Sequence, residues 1–338
     1  MSDINIIGID IGKNLFHLIA HDRKGNEIFR KKLNRAKSIQ FLSTLEPTII
    51  AMEACCGAHW LARKCQEFGH DVKLIPPQYV KPYVKTNKND FIDADAIAEA
   101  AMRPKMRFVS PKSEQAQIGV LIRRIRSGYI RERTTCMNRI GSILLEFGLS
   151  FPRGYHHMKN LLQWLAEQKE PIPPMVIAEV TNLLDYYHLL NKWVAEQERK
   201  LDEINKDNDL MDLLQGIPGV GPMTASCCLS AVGEPKDFKN GRNFSAWIGL
   251  VPHQYSTGGK SKMLGISKRG NKELRELFVH AARSVMWRDK SAEHYFGSWL
   301  LELKRRKPFN VAVVALANKL ARIAWAVMSN HKPFELRN

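Results

Sequence analysis

The chain has 338 residues, 44% of them hydrophobic and 25% charged, which excludes a small stapled scaffold, a disordered polymer and a collagen-like repeat, and calls for two or three folding units. Lysine and arginine number 51 against 34 acidic residues, a formal net charge of +17, so the expected partner is a polyanion. The excess lies in 101–150 and 251–338, while 151–250 is slightly acidic, as when separate surfaces grip a phosphate backbone.

Residues 1–110 alternate short β-rich runs with helical patterns. Strands are expected at Asn5–Asp10, Leu15–His21 and Glu27–Leu33, with Asp22–Gly25 as a hairpin link. A helix over Ser38–Leu45, a strand over Thr48–Met52, a helix over Ala58–Phe68 and a strand over Asp71–Ile75, stopped by Pro76 and Pro77, complete the unit before a helix near Asp90. Three strands, helix, strand, helix, strand, helix is the order of a ribonuclease-H-like (RuvC-like) mixed sheet.

From Ser113 the period becomes helical. Gln115–Phe147 reads as one long basic helix holding Arg123, Arg124, Arg126 and Arg131, expected to contact nucleic acid. After Ile172–Met175 a second helix spans Val176–Asn205, so 111–206 forms an antiparallel helical hairpin, a spacer or oligomer contact. Residues 207–338 form a mainly α C-terminal domain that ends in a helix over Phe309–Met328. Apolar runs such as Val311–Ala317 fall short of the ~20 residues a membrane span needs. The six cysteines show no CxxC spacing, which points away from zinc and disulfides and toward a reducing cytoplasm.

Carboxylates close the buried strands. Asp10 ends the first, in GIDIG, and Glu53 follows the fourth, in MEACCG; these strands are neighbours in a ribonuclease-H-like sheet. An unpaired ionised group there is costly to desolvate, and a cation would resolve the conflict. Asp90 and Asp93, in KNDFIDADAIA, share one face of a helix's first turn. Four such groups can hold two magnesium ions across a phosphate displacement. Asp95 and Glu99 read as surface residues. A sugar-kinase-like ATPase also opens with such a strand and hairpin, but would need further Gly-rich phosphate loops.

In the C-terminal domain LLQGIPGVGPMTA reads as two helices around a tight turn, a helix-hairpin-helix-like motif in which Gly219 and Gly221 let backbone amides approach a phosphate. Beyond it, Ser256 and Thr257 precede Gly258 and Gly259 in a loop followed by Lys260, Lys262, Lys268 and Arg269. A hydroxyl among cations can attack a phosphodiester, though a polar turn with a solvated basic flank has the same composition.

Taken in series, GIDIGKNLFHL, MEACCGAHW, KNDFIDADAIA, IPGVGPMTA and GLVPHQYSTGGKSK…GISKRGNKELR resemble a DEDD-type transposase of bacterial insertion sequences, of the "IS one-ten" family and its "IS eleven-eleven" subgroup. The resemblance implies a RuvC-like domain with its tetrad on Asp10, Glu53, Asp90 and Asp93, a coiled-coil region, and a C-terminal domain supplying a catalytic serine. Some members carry that serine immediately before the glycine, where this chain has Thr257; the subgroup's S-[ST]-G-G form places it on Ser256. It further implies a structured bridge RNA that pairs with donor and target double-stranded DNA, leaving shape and backbone to the protein, and a dimer or tetramer. The rival readings are a water-using RuvC-like nuclease or Holliday-junction resolvase, and a non-enzymatic nucleic-acid scaffold.

Overall fold

The computed structural model describes residues 4–84, 89–152, 154–287 and 289–335, with 289–293 as backbone only. The N-terminal unit runs β1 (Ile6–Ile11), β2 (Leu15–His21), β3 (Glu27–Asn34), α1 (Arg35–Ser43), β4 (Ile49–Glu53), α2 (Ala58–Glu67), β5 (Asp71–Ile75), the single turn α3 (Pro77–Val80) and α4 (Asp90–Ala101). Sheet order is β3-β2-β1-β4-β5. β1 and β2, and β2 and β3, pair antiparallel, whereas β4 lies parallel to β1 and to β5. This is the expected ribonuclease-H-like mixed sheet.

Side-chain alternation along the strands sorts two cores. Ile7, Ile9, Leu18, Ile50 and Met52 pack against Leu42 of α1 and Leu61 and Cys65 of α2. Ile6 and Ala51 face the other way, onto Ile97 and Ala98 of α4. α4 lies against the sheet because β1 has no side chain at Gly8: a Cβ there would stand 2.2 Å from the Ala94 carbonyl oxygen and 2.8 Å from the Ala98 Cβ. The helix starts at Asp90 because the Asn89 side chain caps it, accepting from the Phe91 amide at 2.9 Å. α1 begins earlier than Ser38 for the same reason, with Asn34 accepting from the Lys37 amide. Ser38 instead lies buried and donates to the Asn34 carbonyl.

The middle comprises α5 (Glu114–Glu146), the short α6 (Leu161–Ala166) and α7 (Pro174–Asn205). α5 and α7 form the expected helical hairpin around Ile140, Leu144, Leu184 and Leu190. Beyond it come α8 (Asp209–Gln215), α9 (Pro222–Ala231), α10 (Gly241–Trp247), the hairpin β6 (Pro252–Thr257) and β7 (Lys260–Ile266), then α11 (Lys272–Met286), α12 (Asp289–Arg306) and α13 (Phe309–Asn330). Leu214, Cys228, Phe244, Phe278, Leu316 and Leu320 form that domain's core. α13 is long and apolar enough to cross a membrane by length and composition, but its Ala312, Val313, Leu316, Ala317, Leu320 and Ala324 are packed in this core.

An extended strap joins the N-terminal unit to the rest. The Val109 amide donates to the Leu74 carbonyl, continuing the β5 edge. Lys112, half-buried, donates to the Ser230 and Ala231 carbonyls at the end of α9, both at 2.8 Å. Its own backbone is held by the N-terminal unit: the amide donates to His59 Nδ1 at 3.2 Å and the carbonyl accepts from Arg63 at 2.7 Å.

Candidate active site

Asp10 and Glu53 lie on the α4 face of the sheet, at the C-terminal ends of adjacent parallel strands. Asp93 approaches them from the first turn of α4. Glu53 registers the convergence, because burial first, and then the charges of Asp10 and Asp93, raise its pKa above the usual carboxylate range. Three acidic groups that repel one another at a sheet edge suit a divalent cation, which would relieve the repulsion. Among the described residues, no three His, Cys, Asp or Glu side chains are drawn in to metal-ligand distance.

Asp90 stands apart from the trio. It is exposed, and its Oδ2 lies 3.6 Å from Nδ1 of the buried His17. That nitrogen has no hydrogen bond among the described residues. His17 is the register partner of Asp10 across β1 and β2 and packs edge-on against Phe91 of α4. Sequence reasoning passed over this histidine. The signal was present, because the tight connection from Gly12 to Leu15 fixes the register and sets residues 10 and 17 opposite each other. Asp95, read as a surface residue, pairs instead with the buried His21 at 2.9 Å. Glu99 pairs with Arg103 on the outside of α4.

Ser256 and Thr257 are not in a loop, as the sequence led one to expect. They end β6, and Gly258 (φ 55°) and Gly259 (φ 76°) form a two-residue turn of the left-handed kind that matches strand twist. Ser256 pairs with Ser261, Thr257 with Lys260 and Tyr255 with Lys262. Alternation therefore puts Ser256 on one face of the ribbon with Gln254 and Ser261, and Thr257 on the other with Tyr255 and the two lysines. Gln254 Nε2 donates to Ser256 Oγ at 2.7 Å. The ribbon is solvent-exposed along almost its whole length.

Its base is held firmly. A Cβ on Gly270 (φ 68°) would stand 1.8 Å from the Trp247 carbonyl oxygen. The buried Arg275 donates to the carbonyls of Ile248, at 2.9 Å, and Arg269, at 2.8 Å.

The expected nucleic-acid contacts divide. Arg124 and Arg131 are exposed on α5, and Lys260, Lys262, Lys268 and Arg269 are exposed on and after the hairpin. Arg123 is a correction: it is 1% exposed, pairs with Glu273 at 3.0 Å and hydrogen-bonds the Ser226 carbonyl and the Ser230 hydroxyl. It locks α5 to α9 and α11 and is closed to phosphate. Arg126 is half-buried and bonded through Nε and Nη2 to Glu198 of α7, at 2.8 and 2.6 Å, so it clamps the helical hairpin.

Gly219 (φ 81°) owes its place to packing, since a Cβ would meet the Ala281 carbonyl oxygen at 2.5 Å and Val285 at 2.8 Å. Gly221, at the N-cap of α9, has open space beside it.

Comparison with known proteins agrees with this architecture. Residues 7–149 match the DEDD transposase model of the IS110 type, and residues 211–296 match that of the Transposase IS116/IS110/IS902 family. The chain is 44% identical over 334 residues to the transposase for insertion sequence element IS1328 of Yersinia enterocolitica, covering 99% of each. It is 40% identical over 337 residues to the transposase for IS1111A of Coxiella burnetii, covering 99% of this chain and 92% of that one. The pilin gene-inverting protein of Moraxella bovis is a more distant relative, 24% identical over 349 residues and covering 98% of each. With a ribonuclease-H-like domain, acidic groups at its sheet edge and near full-length likeness to these proteins, the chain belongs to the IS110 family of insertion-sequence transposases.

Proposed function

We propose that this transposase cuts and rejoins DNA through a serine ester, with Ser256 as nucleophile. The observation that carries the reading is the meeting of Asp10, Glu53 and Asp93 at one sheet edge, registered in the raised pKa of Glu53, in a chain whose other chemistry-bearing element is an exposed hydroxyl-tipped hairpin. Asp10, Glu53 and Asp93, with Asp90 at the margin, would hold one or two magnesium ions; when bound, these supply Lewis-acid charge at the scissile phosphate.

The chain's own groups do the rest. Ser256 Oγ attacks phosphorus and forms a phosphoserine ester, the bond from phosphorus to the leaving sugar oxygen breaks, and that oxygen takes the proton. The ester keeps the bond energy, so a hydroxyl of a second strand can reverse the step without ATP. Gln254 orients the Ser256 oxygen. Ser256 is chosen over Thr257 on the S-[ST]-G-G form of the resemblance and on its bond to Gln254; Thr257 lies on the opposite, lysine-bearing face of the ribbon.

Two duplexes must be held at once, which calls for a dimer or tetramer in which the complete site would pair the RuvC-like domain of one protomer with the hairpin of another. Donor and target duplexes would be chosen by a bridge RNA, as the family resemblance implies, and the net charge of +17 suits two polyanions.

The test is recombination with purified protein, magnesium, donor and target DNA, and RNA transcribed from the element's flanks, with protein–DNA adducts trapped on a denaturing gel. An RNA-dependent adduct lost in Ser256→Ala and kept in Thr257→Ala is expected. Cleavage without adduct that survives both substitutions would overturn the serine step in favour of a water-using nuclease. Activity untouched by Asp10→Asn would overturn the carboxylate site in favour of a scaffold.

A further inference from the structure

A deep concavity lies away from the carboxylates, in the C-terminal domain. A groove of about 1830 Å³ opens between α10, the base of the β6–β7 hairpin, α12, α13 and the chain that follows α13. α12 is bent at Gly297 (φ 58°, ψ −155°), and Trp299, beyond the bend, is 36% exposed in the groove wall. Lys319 of α13 lies over its ring, 4.1 Å from the centroid.

Arg242 and Arg322 are exposed on the same wall. They are neighbours because α10 begins with Gly241, whose absent Cβ would meet the Arg322 backbone at 3.1–3.2 Å. Lys332 lines the far end. The described carboxylate in this lining is Glu335, so cations predominate.

This combination selects its occupant by chemistry. An apolar peptide would cover the rings and leave the cations desolvated and unpaired. A DNA duplex offers phosphates but keeps its bases stacked out of reach. An unpaired nucleotide stretch offers both a planar base for Trp299 and phosphates for the arginines. We propose that this groove binds single-stranded nucleic acid, with a base stacked on Trp299 and the backbone along Arg242, Arg322 and Lys332. The inference rests on the reading of the chain as a nucleic-acid recombinase but not on Ser256. Burial and the adjacent Arg322 lower the pKa of Lys319, so an arriving phosphate would also relieve crowding between like charges.

The experiment measures binding of the full-length protein to fluorescent 12-mers of oligo-dT and oligo-rU, and to a DNA duplex, by anisotropy over a salt series. Trp299→Ala is expected to weaken single-strand binding roughly five- to hundred-fold and to leave duplex binding unchanged; Trp299→Phe, which keeps a stacking ring, should retain most of the affinity. Arg242→Ala with Arg322→Ala should lower the slope of log affinity against log salt by about 1.4. Tighter rU binding would identify RNA as the source of the strand, and tighter dT binding, DNA. Single-strand affinity unchanged in Trp299→Ala, or lost in equal measure for the duplex, would overturn the proposal. Ser256→Ala should bind single strands as wild type does. Wild-type protein that binds single strands through Trp299 yet forms no adduct thus refutes the serine step alone, and adducts with an indifferent Trp299 refute the groove alone.

Discussion

Replacing Gly8 by alanine should damage the carboxylate site from beneath while leaving every acidic side chain in place. The new methyl would stand 2.2 Å from the Ala94 carbonyl oxygen, 2.8 Å from the Ala98 Cβ and 2.9 Å from the Ala98 nitrogen. These are mostly backbone atoms, so no side chain can swing aside, and α4 must retreat from β1 by about 1 Å for the methyl to reach ordinary contact. Overpacking of this kind costs about 1–3 kcal/mol. Asp93 and Asp90 ride on the first turn of that helix, and a displacement of about 1 Å at a reacting centre costs on the order of 10²-fold in rate.

The assay is denaturant unfolding together with a magnesium-dependent strand-cleavage time course. Gly128→Ala serves as control, since its position in α5 has open space and should gain about 0.5–1 kcal/mol from helix propensity. Gly8→Ala protein that unfolds and cleaves like wild type would refute the argument that the β1–α4 contact positions the acidic groups.

Three further outcomes follow from the same geometry. Glu53→Gln should abolish cleavage yet stabilise the metal-free protein at neutral pH. The raised pKa means that the native state holds the Glu53 proton to higher pH than the unfolded chain does, so ionised Glu53 costs stability as pH rises above the ordinary carboxylate range. Thermal melts with and without magnesium check this, and a wild-type melting point insensitive to magnesium would count against cation binding there.

His59 is pushed down to about 4 by burial and by Lys112 and Arg63. The unfolded chain therefore takes up a proton near pH 6.5 that the native state refuses, and stability drains away as pH falls from about 6.5 to about 4. His59→Asn should flatten that part of the curve in urea titrations, and an unchanged slope would show that the strap does not feel this histidine.

Arg123→Leu should destabilise by roughly 3 kcal/mol or more, because Glu273 and the Ser226 carbonyl lose a buried partner. A loss confined to DNA affinity, with unfolding unchanged, would restore Arg123 to the surface role its sequence suggested.

The N-terminal sheet was legible because local and global signals coincide there. Short β-rich runs punctuated by Gly12, Gly25 and paired prolines mark the strands along the chain, and Leu15–His21 and Asp71–Ile75 appear with the bounds expected from those runs. The two long helices were equally readable from period alone. What sequence could not tell was which arginine on a basic helix is bare. Arg123 and Arg124 are adjacent in the chain, yet one is buried and one exposed, because a helix turns about 100° per residue and only the packing of α9 and α11 decides which side is covered. The β6–β7 ribbon escaped notice for another reason. Both faces are exposed and carry polar residues mixed with Tyr255, Met263 and Leu264, so the alternation that marks a half-buried strand is missing, and only the glycine pair betrayed the turn.

The strap through Lys112 bears on how such proteins exchange parts. A lysine from the linker that ends the last turn of α9, while His59 and Arg63 hold its backbone, makes the seam between the two units a three-way joint rather than a tether. A chimera cut there would keep both folds intact and still separate a cation from the carbonyls shaped to receive it. Working hybrids between relatives should therefore inherit 59–63, 109–112 and 226–231 from one parent, so that the joint, rather than either domain, is the unit that is passed on.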